Sequence, residues 1–249
     1  MNASPSGIEV DIFIPCFIDQ VQPEIGFSMV KILEAVGCKV YYAPEQTCCG
    51  QPAYNAGYFS SACDVAQKLL HQYEQYPERY LVLPSASCVG MIRNSYANLL
   101  KDPALLQRYY VLQQRTLELT EFLVDVLEVK KIKGAKFYHS VAYHDACSAL
   151  RECGIYAAPR QLLAGVEGLE LKPLAASDTC CGFGGTFSVK FQGISGAMAE
   201  QKINHALDAS VEYLTSTDYS CLMHLEAYAN KQKRPVQFIH IADILANGW

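Results

Sequence analysis

The sequence has no apolar run approaching the ~18 residues that would suggest a membrane span. It also has no stripe of lysine and arginine to neutralise phosphates: 20 basic residues are interspersed among 25 acidic ones, for a net charge of −5. Neither a membrane span nor a nucleic-acid partner is therefore expected. The opening stretch, MNASPSGIEVDIFI, lacks the positive segment, apolar core and small-residue cleavage site of a leader. The expected location is cytoplasmic, where thiols are kept reduced. Missing too is any C-x-x-C pair, the close spacing that structural zinc sites and redox dithiols favour. With 51% hydrophobic and 18% charged residues, the chain can build a sizeable core, as one large domain or two small ones.

What the sequence does have is cysteine, eleven in all. Cys38, Cys63 and Cys153 read as small buried hydrophobes, the usual fate of an isolated thiol. The other eight form a repeat. Cys16, Cys48-Cys49 and Cys88 recur as Cys147, Cys180-Cys181 and Cys221, at offsets of 131, 132, 132 and 133 residues. Flanking residues recur with them: Val10 with Val141, Gly50 with Gly182, Tyr80-Leu81 with Tyr213-Leu214. A fixed long period of this kind marks a duplication.

Short β-rich runs precede each cysteine: residues 8–14, 38–43 and 79–83 in the first copy, then 140–146, 169–174 and 211–215 in the second. Residues 24–36 and roughly 60–73 carry helical periodicity, and residues 235–249 read as a last strand and a short helix. Strands alternating with helices imply an α/β fold of parallel βαβ units. The expected architecture is two duplicated Rossmann-like halves related by a pseudo-two-fold: residues 1–115, a connecting helix and turn over 116–135, and residues 136–249. Within the connector, Leu119, Phe122, Leu123, Val126 and Leu127 give residues 116–129 a helical stripe. Each cysteine then falls just beyond the carboxyl end of a strand, the edge where parallel sheets gather functional groups.

Four converging thiols suggest a metal, either zinc or an iron–sulfur cluster. Adjacent cysteines diverge in regular structure and suit a multi-iron cluster better than one small ion. The glycine after each pair, Gly50 or Gly182, lets the backbone bend sharply. Its N–H, with those of Gly184 and Gly185, is placed to tune a cluster potential. His144 and His224, three residues from Cys147 and Cys221, are candidates for hydrogen bonds to the site; direct ligation is disfavoured because eight thiols already fill the coordination. Arg93, Arg151 and Lys190 could offset the charge of a thiolate site, with a solvated role as the alternative for each. CGFGG (residues 181–185) fails the G-x-G-x-x-G dinucleotide pattern because Phe187 stands where the third glycine belongs.

The pattern C-x31-C-C-G-x37-C, repeated with one more residue in each gap, resembles the twin CCG (cysteine-rich) domain. That domain occurs in the catalytic subunit of heterodisulfide reductase and in subunits of glycerol-3-phosphate and glycolate dehydrogenases. PSASCVGM, HDACSALRECGI, TCCGFGGTFSVK and SCLMHL are similar to phrases of its stand-alone branch, the A subunit of bacterial lactate-utilisation complexes. The resemblance implies two [4Fe–4S] clusters passing electrons during oxidation of L-lactate to pyruvate. Cys16, Cys48, Cys49 and Cys88 would hold one, and Cys147, Cys180, Cys181 and Cys221 the other. It also implies a ferredoxin-like iron–sulfur subunit and a third subunit as partners, and leaves self-association open. Where related repeats end in C-x-x-C, this chain has Ser85 and Asp218 in place of the earlier cysteine, which fits a four-thiolate cubane and not a five-thiolate cluster. The alternatives are zinc in one or both sites of a structural scaffold subunit, or a metal-free thiol–disulfide reductase.

Overall fold

The computed structural model describes residues 7–249, so the first six residues of the segment read for a leader lie outside the described part. The chain divides into two compact units at Leu127/Glu128. The first holds strands β1 (Glu9–Ile12), β2 (Lys39–Tyr42), β3 (Tyr80–Leu83) and β4 (Thr116–Glu118), all parallel, in the order β2-β1-β3-β4. The second holds β5 (Ser140–Tyr143), β6 (Glu170–Lys172), β7 (Tyr213–Ser216) and β8 (Gln237–His240), again all parallel, in the order β6-β5-β7-β8. The expected α/β fold of duplicated parallel-sheet halves is present.

Burial follows strand position. Val10, Ile12, Leu81, Val82 and Leu83 in the central strands β1 and β3 are inaccessible, as are Val141, Ala142 and Leu214 in β5 and β7. Lys39 and Tyr42 on the edge strand β2 face solvent, and a charged edge residue discourages pairing with another chain. The helix Glu24–Ala35 buries Ile25, Met29, Ile32 and Leu33, one face at the helical period. It ends at Gly37, whose φ of 93° a side chain would resist. The helix Phe59–Tyr73 buries Ala62, Ala66, Leu69, Leu70 and Tyr73.

One element departs from the sequence reading. Residues 116–129 do not form a single connecting helix. Thr116–Glu118 pairs with Leu81–Leu83 as the fourth strand, and sheet pairing there overrides the helical stripe. The strand stops where Glu118 and Glu121 form a reciprocal capping box, which satisfies backbone donors at a helix start. Leu119, Phe122, Leu123 and Leu127 then pack into the first unit's core, so this segment completes the first half instead of linking two.

In both units the first strand lies between the second and third, so the first crossover and the second run in opposite directions across the sheet, and right-handed connections then place them on opposite faces. That arrangement opens a crevice at the carboxyl edge between the two central strands, the usual binding position of open α/β sheets. The loops after β1, β2 and β3, and after β5, β6 and β7, carry the eight repeated cysteines.

Candidate metal centre

In the first unit, Cys16 opens the helix Cys16–Val21 directly after β1, and Cys88 lies in the helix Ala86–Gly90 directly after β3. The loop after β2 brings Cys48 and Cys49 between them. The loops are tied together by Gln46, whose side chain accepts from Ile14 N–H (3.1 Å) and donates to Ile14 C=O (2.6 Å). Cys16 Sγ lies 3.7 Å from Cys48 Sγ, and Cys49 Sγ lies 3.2 Å from Cys88 Sγ. These are contacts between thiols, far longer than a ~2.05 Å disulfide bond. Gly50 N–H donates to Cys48 Sγ (3.3 Å), and Tyr96, fully buried, donates its hydroxyl to Cys49 C=O (2.9 Å). A cleft of about 290 Å³ lined by Asp19, Gln20, Tyr42, Gln46 and Thr47 opens beside Cys16 and Cys48.

The second unit repeats this plan with different surroundings. Cys147 follows β5, Cys221 lies in the helix Tyr219–Lys231 after β7, and Cys181 Sγ is 2.9 Å from Cys221 Sγ. Gly182 N–H donates to Cys180 Sγ (3.4 Å) and Phe183 N–H to Cys181 Sγ (3.5 Å). Here Asp145 N–H donates to Ser177 C=O (3.1 Å), which ties the first-cysteine loop to the CCG loop. Asp145 is itself held by both Arg160 Nη atoms at 2.8 Å. A ring nitrogen of His144 joins Cys181 and Cys221 Sγ in a buried group whose atoms all lie within 4.8 Å of one another. His224 Nε2 meets Ser195 Oγ at 3.2 Å, and that hydroxyl donates to Gly182 C=O (2.8 Å).

Each half polarises one sulfur. The hydrogen bond from Cys16, then that from Cys49, with the Gly50 and Cys49 backbone, pulls the Cys48 thiol down to about 3. Cys180 is lowered in the same way by Cys147, Cys181 and Gly182. The donors Cys16 and Cys147 are raised by giving those hydrogen bonds, and by burial. Each set is therefore poised as one thiolate receiving bonds from neighbouring thiols. Half-buried Cys16, Cys48, Cys147 and Cys180 stand outward of buried Cys49, Cys88, Cys181 and Cys221. In each half, four converging thiols, N–H groups directed at sulfur and one polarised sulfur form a donor set that fits a thiolate-bound metal or iron–sulfur cluster.

Other sequence candidates resolve differently. Gly184 and Gly185 turn the chain with φ of 51° and 60°, while the N–H that reaches Cys181 Sγ is Phe183's. Arg93 makes a two-pronged ion pair with Glu121 at 2.9 Å, and Arg151 donates to Asp178 C=O (3.0 Å). Lys190 is exposed. The basic side chain that sequence reasoning missed is Lys202. It is wholly buried, and its Nζ donates to the Ala176 and Ser177 carbonyls that lead into Cys180. Burial lowers its pKa, against the opposing pull of Asp178 and the Cys181 and Cys221 sulfurs. Its position was visible in principle: Ser195, Ala199, Lys202, Ile203 and Ala206 form the buried stripe of the helix Gln192–Asp208, and a lysine there is out of place.

The cysteine-rich (CCG) domain family matches residues 10–93 and again residues 141–226, each span enclosing one complete four-thiol set. The chain belongs to the CCG cysteine-rich family. It is 43% identical over 240 residues to lactate utilization protein A of an Exiguobacterium species, covering 96% of this chain and 97% of that one. The corresponding protein of Geobacillus kaustophilus is 40% identical, with 96% and 98% covered. Among solved structures, a hypothetical protein from Helicobacter pylori shares the fold at a TM-score of 0.58 and 10% identity. The alignment covers 98% of this chain and spans half the length of that one. Among the described residues no helix is long and apolar enough to cross a membrane.

Proposed function

We propose that the chain is an iron–sulfur electron-transfer subunit of a complex that oxidises L-lactate to pyruvate. Cys16, Cys48, Cys49 and Cys88 would hold one [4Fe–4S] cluster, and Cys147, Cys180, Cys181 and Cys221 a second. The observation that carries this reading is the convergence of four thiols at the same crevice of each half, in a chain about 40% identical over nearly its full length to proteins named for lactate utilisation. Clusters of this kind take up and release single electrons. The protein's part is to shield Cys49, Cys88, Cys181 and Cys221 from water and to direct backbone N–H groups at sulfur. The half-exposed cysteines would face redox partners, for which we propose a ferredoxin-like subunit and a third subunit in the cytoplasm. No group among the described residues forms a dedicated hydroxy-acid site, so lactate itself would be handled elsewhere in the complex.

Chain prepared without oxygen should contain iron and acid-labile sulfide at about eight of each per molecule, two cubanes' worth. Stoichiometric zinc with no sulfide would overturn the proposal. A second reading has one observation in its favour: the compact group of His144, Cys181 and Cys221 suits a single small ion, so zinc in the second half beside a cluster in the first is the competing arrangement. Iron near four per chain with one zinc would select it.

A further inference from the structure

His144 is the least expected residue beside the cysteines. It is fully buried, and its Nε2 has no hydrogen-bond partner. Its Nδ1 lies 3.3 Å from Ser177 C=O. A carbonyl only accepts, so Nδ1 carries the proton and Nε2 is left with a bare lone pair. Histidines that bind metals are commonly fixed in this way, one ring N–H held by a backbone carbonyl and the other nitrogen presented to the metal. The donors beside this ring are the sulfurs of Cys181 and Cys221, both within 4.8 Å of one of its nitrogens.

The first half shows that the fold does not require a histidine at this place. Phe13 N–H donates to Val82 C=O, and His144 N–H donates to Thr215 C=O, which is the same backbone bond in each half. Phe13 is also fully buried. A phenyl ring fills the space with no unmet polar atom, whereas a buried nitrogen lacking a partner is unfavourable. That cost is removed if the lone pair binds a metal.

Building on the cluster reading above, we propose that His144 Nε2 is a direct ligand of the metal centre in the second half. That centre is then a mixed thiolate–imidazole site, while the first is held by thiolates alone. A cubane takes one terminal ligand per iron, so with the imidazole bound three of this half's four sulfurs ligate and the fourth stands beside the cluster. Lys202 supports the arrangement from behind, because it holds the Ala176 and Ser177 carbonyls, and Ser177 fixes the imidazole.

The test uses the full chain, reconstituted anaerobically with iron and sulfide and reduced with dithionite, in a Cys16→Ser/Cys49→Ser background that removes the first centre. The second-centre paramagnetic signal should carry a nitrogen coupling of directly bonded strength that changes on labelling histidine with ¹⁵N. A coupling several-fold weaker, of the size a hydrogen-bonded N–H gives, would overturn the proposal, as would none. This readout needs no change at His144. His144→Phe, which places the first half's residue in the second, should lose the coupling and shift the midpoint potential of that signal. Unchanged spectra and potential would also overturn the proposal. If the site takes zinc and no sulfide, the cluster reading fails separately. Zinc-edge absorption should then still show one nitrogen at ~2.0–2.1 Å beside sulfur, and a sulfur-only shell would overturn the histidine ligand.

Discussion

Replacing the glycine of each CCG triplet by alanine should separate the two halves. Gly50 has φ +85° and Gly182 φ +94°, so alanine at either site pays the left-handed penalty of about 1–2 kcal/mol. A methyl at Gly50 would meet Ala62 O and Val65 Cγ1 at 3.4 Å, ordinary contact distance. At Gly182 it would lie 2.6 Å from Ser195 O, 3.0 Å from Met198 Cβ and 3.4 Å from His224 Nε2. Ser195 O is backbone in a 17-residue helix, so it cannot swing aside, and relieving the overlap adds about 1–3 kcal/mol. Gly50→Ala should therefore cost about 1–2 kcal/mol and Gly182→Ala about 2–5 kcal/mol. The chain's one tryptophan, Trp249, lies in the second unit, so its fluorescence in a urea titration of metal-free protein follows that half. Gly182→Ala should lower the fluorescence midpoint clearly, and Gly50→Ala should leave it nearly in place. Circular dichroism follows both. Gly182→Ala should also reduce metal uptake by the second site, because the displaced helix carries Lys202. Equal destabilisation by the two variants, or a tolerated Gly182→Ala, would refute the steric argument.

Other outcomes follow from the same geometry. Burial pushes the Glu118 carboxyl up to about 8, against the bonds it accepts from Thr120 and Glu121. The folded state thus holds a proton that the unfolded state releases near 4.5, so stability falls as pH rises from about 4.5 to 8. The span is at most roughly 4–5 kcal/mol, and Glu118→Gln should flatten that slope in denaturation measured across the range. In reduced, metal-free protein at pH 5, a maleimide or iodoacetamide probe read by peptide mapping should modify Cys48 and Cys180 before Cys16 and Cys147. Burial raises the Asp145 pKa but is outweighed by Arg160, and the group stays ionised. Arg160→Ala strands a nearly inaccessible carboxylate and should cost about 3 kcal/mol in the second unit, whereas Asp145→Asn with Arg160 kept should cost less. In loaded protein the second centre should be reduced at the more positive potential in a mediated titration. Buried Lys202, close enough to feel the Cys181 and Cys221 sulfurs, favours its extra electron; coincident or reversed midpoints would sink this ordering.

Much of the architecture was legible because the cysteines and the strand endings share one spacing. Once Cys16, Cys48-Cys49 and Cys88 follow three short β runs, and their copies follow three more, parallel pairing alone brings four thiols to one edge. What could not be read came from contacts distant in sequence. Residues 116–118 continue smoothly into a helical stripe, and only pairing with Leu81–Leu83 makes them a strand. Arg93, close to Cys88 in sequence, is drawn to Glu121, while Lys202, some twenty residues from the nearest cysteine, is carried by its helix onto the turn before Cys180. Proximity along the chain was a poor guide to which charges stand near sulfur, and helix phase was the better one.

The two halves also show what duplication preserved and what it released. The loops after each strand, the adjacent thiols and the left-handed glycine behind them are common to both. The lining is not. The contacts around Gly50 and Gly182 align Ala62 with Ser195 and Val65 with Met198, which places Leu69 opposite Lys202; both are buried. Phe13 stands opposite His144. A phenyl ring and a leucine in one half thus correspond to an imidazole and an ammonium in the other. Packing alone does not explain those exchanges, because each buries polar atoms that an apolar residue would spare, and burial of such groups is unfavourable unless they find a partner. In the second half Lys202 finds two carbonyls and His144 finds one, with a nitrogen to spare beside two thiols. The polar lining is therefore best explained by what the second site would bind, since the two four-thiol sites share their cysteines and differ in the residues around them.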